Sequence, residues 1–360
     1  MNLFQMSILR NSALAIFTLM LLVVSSCNND ENPSTTSGEW LVDNNQVFDG
    51  GPGKDGIPSI DNPSFTSVNN VDFLTDDELV IVAKVGDNVK MYSHDILDWH
   101  EIVNDVVGSK AVAVTYCPLT GTAVGWDANV DGEVTTFGVS GLLFSTNLMP
   151  YDRNSNSTWS QMRLDCVNGD LIGTEIETVP LVEMEWSVAK SMFPDAQVLT
   201  TDTGFSRNYG QYPYGDYLTS NSLIFPLPNG LDSRMPSKER VLGVQESGGS
   251  MAFRFKDFDI AGFVNIEENT VAGKPIVVFG TREENFLVAF ENDLNGERVN
   301  FVPIPRDGDI VASDDSGNSY NVFGEVVDGP DVGSKLKEVT NYIGYWLGWS
   351  AFQLDIPIHG

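Results

Sequence analysis

The apolar residues of this chain come in short runs, each closed by a turn signal, and that pattern leaves room for many strands but almost no long helix. Leu79 to Val85 (LVIVAKV), Ala111 to Tyr116, Val134 to Val139, Pro275 to Phe279, Asn285 to Phe290 and Val299 to Ile304 read as strands. Gly86-Asp87-Asn88, Asp131-Gly132, Asn295-Gly296 and Asp307-Gly308 read as hairpin or reverse turns. Helical spacing occurs in three places. His94 to Asp105 sets Ile96, Trp99, His100 and Val103 three and four apart; Met184 to Phe193 is ended by Pro194; Leu336 to Tyr342 is the third. No period of roughly 20 to 50 residues repeats, which rejects solenoids and propellers. The expected fold is α+β and β-rich, mainly antiparallel, with a few short helices at the edges.

The N-terminus predicts the compartment. Arg10 precedes the apolar run Ala13 to Val24, and Val24-Ser25-Ser26-Cys27 is the small-residue pattern read by lipoprotein signal peptidase. The run is well short of the roughly 20 residues that span a bilayer. The expected organisation is a signal peptide over 1–26, a lipid anchor on Cys27 with a tether over 27–54, and a single large β-rich domain over 55–360. Asn28 to Gly38 (NNDENPSTTSG) is polar enough to hold that domain off the membrane. The anchor places the protein in the cell envelope, in the outer membrane, periplasmic or surface-exposed, and the membrane is its one indicated partner.

Twenty Lys and Arg stand against 50 Asp and Glu, a net charge of −30. A field of that sign repels nucleic acid and favours cations, metal ions among them. Three cysteines in 360 residues make no disulfide framework. Apart from Cys27, only Cys117 and Cys166 remain, and one bridge between them is allowed by count alone.

Rare chemistry concentrates between Asp98 and Gln161, in DWHEIVND, TYCPLTGTA and FGVSGLLFS…YDRNSNSTWSQ. These segments, with VLTTDTGFSRNYGQYPYGDY, MPSKERVLGV and YWLGWSAFQLDIP, resemble the secreted bacterial and archaeal family catalogued as domain of unknown function 3179. The resemblance covers roughly residues 55 to 358. It implies a family and no reaction. In the family the strand end is most often Cys-Pro-Leu-Cys; Thr120 stands at the second position here, which removes a dithiol pair.

Cys117 reads as a buried inert thiol, a metal ligand or a nucleophile. His100 lies on the apolar face of its helix, so it is either a core histidine with a backbone partner or a ligand that approaches Cys117. Neutral imidazole with thiolate suits copper or zinc, and a third ligand is open among His94, Met149, Met162 and a carboxylate. As an enzyme, Cys117 would be the nucleophile and His100 its activator, giving a Cys-dependent hydrolase or transferase. As a binding module, the Tyr- and Trp-rich loops would take peptide or glycan. Ser140, Asp152, Arg153, Trp159, Gln161, Arg207 and Tyr209 complete the candidate ligand-binding set. Asp152 and Arg153 alternate on a strand, so each needs its own partner. Gly138 and Gly141 around Ser140 predict a close backbone approach. Asp127 to Gly132 opens like a calcium loop but has Gly138 where the bidentate Glu belongs, and reads as a hairpin turn. Residues 203–240, interrupted by Pro213, Pro226, Pro228 and Pro236, read as an ordered excursion over the surface, beside the site.

Overall fold

Valine- and isoleucine-rich runs with one or both faces buried form strands wherever a neighbour can complete the ladder, and a computed structural model of the chain, which describes residues 38–360, is built almost wholly that way. The expected signal over 1–26, Cys27 and the tract to Ser37 lie outside the described residues. Among the described residues there are 27 strands and three α-helices of seven residues each. Every ladder but one is antiparallel, the exception joining Gln197–Leu199 to Asn88–Ser93. The fold is β-rich, with helices too few for an α+β balance.

The sheets are arranged twice over. Leu181–Glu185, Leu79–Val85 and Asn88–Ser93 pair in that order, and Thr340–Tyr345, Arg240–Glu246 and Gly249–Arg254 pair the same way. Ile102–Val107, Lys110–Cys117, Thr122–Asp127 and Thr178–Val179 correspond to Asn265–Val271, Lys274–Thr281, Phe286–Glu291 and Lys337–Glu338. A third sheet runs Phe137–Phe144, Asn147–Asp152, Thr158–Ser160 and Asp165–Asn168, matched by Phe301–Val302, Ile310–Asp314, Ser319–Asn321 and Val326–Asp328. The sequence carries the same register: GDLIGTEIETVPLVEMEWSVAKS from Gly169 lies over GPDVGSKLKEVTNYIGYWLGWSA from Gly329 without a gap. The turns repeat bond for bond. Gly173 donates to Cys166 O and Ile176 to Leu164 O, as Gly333 donates to Val326 O and Leu336 to Gly324 O. The molecule is an internal duplication whose period lies far beyond that of a short-repeat array.

The repeats share their cores. Val80, Val82, Met184 and Trp186 of the first pack in one cluster with Val277, Phe279, Phe290 and Tyr320 of the second. Trp126, Trp159 and Cys117 pack with Val241, Trp346 and Trp349. Residues 38–360 form one compact unit. Its packing begins ahead of residue 55: Leu41 donates to Val167 O, and Val47–Asp49 pairs with Phe144 to Leu142.

Two helix expectations are corrected. The first helix, α1, is His94–His100 and stops there because Glu101 takes a left-handed conformation (φ 57°), its N–H closing on Leu97 O. The β-branched IVNDVV that follows becomes the strand Ile102–Val107. Leu336 to Tyr342 is extended, and the last helix is Trp346–Phe352. The strand expected over Val299 to Ile304 shortens to Phe301–Val302.

Candidate functional site

The duplication isolates what is particular to the first repeat: α1 and the connection between the repeats. Residues 200–239 contain no helix or strand and lie across the end of the first repeat. Tyrosines, buried or half-buried, fasten them there. Tyr212 donates to Pro118 O (3.2 Å), Tyr217 to Leu119 O (2.9 Å) and Tyr214 to Glu101 Oε1 (3.1 Å). Lys238 holds the same stretch by donating to the carbonyls of Tyr217, Ser220 and Ser222, its ammonium 3.5 Å above the Tyr217 ring.

Beneath this connection is a cavity of about 330 Å³. Its walls are Ile57, Leu119, Leu142, Leu143, Leu148 and Phe225, and its polar groups are Asp98, Glu101, Tyr214 and Arg207. The size and the ratio of apolar wall to polar anchor are those of a small-molecule site. Ser140 and Gly141 shape one rim. Ser140 Oγ accepts from Leu142 N–H and donates to Met149 O, forming a bulge, and Gly141 (φ 80°) faces Gly53 so closely that a Cβ would stand 2.7 Å from its carbonyl carbon. The close approach expected of these glycines is therefore to the chain's own N-terminal segment.

The two acids on the cavity lack the partners other buried acids have. Asp95, Asp98 and Glu101 are spaced three apart, and like charge adds to desolvation along α1. Asp98 is held well above the usual carboxylate range by burial and then by Asp95 and Glu101. Its Oδ1 is fully buried and has no hydrogen-bond partner, a situation that costs about 1–3 kcal/mol. Burial pushes Glu101 up to about 7 against the smaller effect of the Tyr214 hydrogen bond. Arg207, the one basic side chain on the cavity, bonds to Ser206 O and lies over Trp99 and Phe205, making no ion pair with either acid.

The remaining candidates are placed as follows. His100 is buried, and both ring nitrogens are engaged: Nδ1 donates to Pro58 O (2.7 Å), and Nε2 accepts from Tyr209 (2.7 Å), whose hydroxyl is 2.5 Å from Thr203 Oγ1. Burial lowers its pKa, so the ring is neutral. Cys117 is buried, its Sγ 3.7 Å from Thr146 O, and burial pushes the thiol up to about 11. No hydrogen bond joins it to His100. Thr120 is fully buried, and its Oγ1 accepts from Asn147 in the core. Cys166 is also a free, buried thiol, and it occupies the place of Val326 in the second repeat.

Asp152 is a structural hub, accepting from Ser155 N–H and Oγ, Ser157 N–H and Trp159 Nε1. Asp314 does the same for Ser316, Asn318 and Tyr320. Arg153 bonds outward to Asp61 and Ser59. Gln161 donates to Thr115 Oγ1 and Thr122 O and accepts from Asn147. Trp159 sits with Trp126 and Phe137 in the core. Among the described residues no group of three or more His, Cys, Asp or Glu is placed to hold a metal ion.

A second polar centre was not anticipated. His94, one of the residues left open as a third metal ligand, lies 3.1 Å from Glu183 Oε2 and 4.5 Å, ring to ring, from Tyr116. Arg240 of the second repeat donates to Glu183 Oε1. Burial works against the Glu183 carboxylate, but His94 and Arg240 hold it down to about 2. Residues of three separate segments meet there, and no local pattern announces that.

A β-rich chain with two copies of one arrangement and an apolar cavity in the first defines the class by fold alone. The family model described as Protein of unknown function (DUF3179) matches residues 54–355, and the chain belongs to that family. The match spans both repeats, so the duplication lies within the family's unit. No curated protein and no solved structure matches the chain.

Proposed function

We propose that this chain is an envelope lipoprotein, anchored through Cys27, whose folded part binds a small molecule in the cavity over Asp98 and Glu101. The observation that carries the reading is the cavity itself: apolar walls, two acids at one end, and a roof made by the connection between the repeats. The tyrosines of that connection bond inward, which favours an enclosed ligand over a peptide or glycan laid on the surface. A copper or zinc centre on His100 and Cys117 has less behind it, because each has other partners and the thiol holds its proton to about pH 11. The same high pKa weighs against a Cys117 nucleophile.

The test is a thermal-shift screen of small compounds on the chain from Asn28 onward, run beside Leu148→Trp, which fills the cavity. Compounds that raise Tm in the parent chain and not in Leu148→Trp are expected. A screen whose every hit also stabilises Leu148→Trp would remove the cavity from consideration. For the anchor, Cys27→Ser is expected to abolish acylation and release the protein from the membrane fraction; retention of both would overturn that part.

A further inference from the structure

We infer that the ligand of this cavity is a small organic cation, an ammonium group on an apolar body, with the charge received by Asp98 and Glu101. The inference rests on the cavity being a ligand site and adds the chemical class.

It begins from how the molecule treats its other buried acids. Asp127 is paired with Lys110 at 2.7 Å, and Glu183 with Arg240 and His94. Asp152 and Asp314 each collect several N–H and O–H donors. Asp98 and Glu101 are treated differently. Glu101 has one phenol donor, Asp98 has an oxygen buried without any partner, and both line the same cavity. Buried carboxylates are kept ionised by a cation or by donors. Here the fold supplies neither in sufficient number, so a positive group of the ligand seated against the cavity faces of Asp98 and Glu101 completes the pairing.

The walls set the rest of the ligand. Leu119, Leu142, Leu148 and Phe225 offer dispersion and desolvation but no hydrogen bond from their side chains, so the body attached to the ammonium is apolar. The net charge of −30 raises the local concentration of cations at the entrance. The groups facing the two acids are Asp95, Tyr116, Tyr212 and Tyr345 around Asp98, and Cys117 and Tyr214 around Glu101. Arg207 also lines the cavity but bonds to Ser206 O and forms no ion pair with either acid; the other groups are neutral or negative at neutral pH.

The bound state must balance its protons. An empty cavity holds Glu101 partly as the neutral acid at pH 7, and burial favours the neutral acid of Asp98 as well; an arriving ammonium favours the carboxylates, and each proton displaced passes to buffer. Isothermal titration of the chain from Asn28 onward with hexylamine, cyclohexylamine and 2-phenylethylamine, each beside its alcohol counterpart and 3-phenylpropionate, reads this directly. At pH 7 an amine is expected to bind at least about tenfold tighter than its alcohol, with heat that changes between buffers of different ionisation enthalpy. Asp98→Asn with Glu101→Gln, checked for native circular dichroism, is expected to erase the preference while the alcohol still binds. Alcohol or carboxylate binding as tight as the amine, lost in Leu148→Trp, would keep the cavity as a site and overturn the cation. Failure of every probe to bind would overturn the cation class for this cavity, and amine binding unchanged in Leu148→Trp would overturn the location.

Discussion

At the scale of single residues, the decisive property is how burial treats each ionisable group. Cys117 and Cys166 are both buried, and desolvation raises both thiols to about 11. Neither is therefore expected to react with Ellman's reagent at pH 8 in the native chain from Asn28 onward, while both react in 6 M guanidinium. Fast native labelling of Cys117 would reinstate it as a nucleophile. Glu101 and Glu183 move in opposite directions, so their contributions to stability have opposite slopes. Glu101 titrates near 7 folded against an ordinary value near 4.5, so its contribution is complete below about pH 4.5 and is lost as pH rises through 7. Glu183 titrates near 2, so its contribution is present above about pH 4.5 and is lost as pH falls toward 2. Urea titrations of Glu101→Gln are expected to remove a fall of about 3 kcal/mol between pH 4.5 and 8. An unchanged slope would place Glu101 in water. The sequence marked Cys117, His100 and Asp152 because they are rare or polar amid apolar runs, a signal that finds buried polar groups without separating hubs from sites. Glu101 and Asp98 stood in the same motif and read only as polar faces of its helix, because carboxylates are common in a chain with 50 of them.

At the scale of elements, strands were legible and ends were not. Leu79–Val85, Lys110–Cys117 and Lys274–Thr281 follow from β-branched runs between turns. The helix at His94 was read too long because Ile96, Trp99, His100 and Val103 keep helical spacing across a break, and spacing cannot see the left-handed Glu101 that redirects the chain. The same break turns the Glu101 carboxyl to the cavity, so the element boundary and the site are one feature. The excursion over 203–240 was legible from its prolines, and the residues it covers were not. What fixes it is Lys238, which serves three carbonyls and the Tyr217 ring. Lys238→Met keeps the stem and removes those donors. Hydrogen exchange over residues 211–225 is expected to accelerate by about an order of magnitude or more, with little change in the strands. Exchange at the parent rate would mean that the tyrosines alone hold the roof.

At the scale of the whole molecule, the duplication was written in the sequence but at a distance that a search for short repeats does not reach. Gly169, Gly173 and Trp186 recur as Gly329, Gly333 and Trp346, and the first two pairs keep the same positive φ (108° and 109°, 85° and 93°). Duplication alone would let each half fold separately, as a chain of two similar domains does. The packing argues otherwise. Trp186 and Val80 are buried against Phe279 and Tyr320, Trp346 and Trp349 against Trp126 and Trp159, and the His94–Glu183–Arg240 centre draws on both repeats. Gly121 at the Cys117 turn has φ 57° and faces the Tyr345 ring, where a Cβ would stand 2.7 Å from the nearest ring carbon. Each repeat alone would expose apolar surface belonging to these shared clusters and leave Glu183 buried without its Arg240 partner, a loss of about 3–5 kcal/mol for a broken buried pair. That is a large share of the roughly 5–15 kcal/mol that holds an ordinary domain folded. Residues 38–360 are therefore expected to unfold in one calorimetric transition with equal calorimetric and van't Hoff enthalpies, and residues 38–200 expressed alone to lack a cooperative transition. Arg240→Ala should lower the single transition without splitting it. Two resolved transitions in the parent chain, or a cooperative melt from either half, would show that the repeats are independent and that the shared cores form only after each has folded.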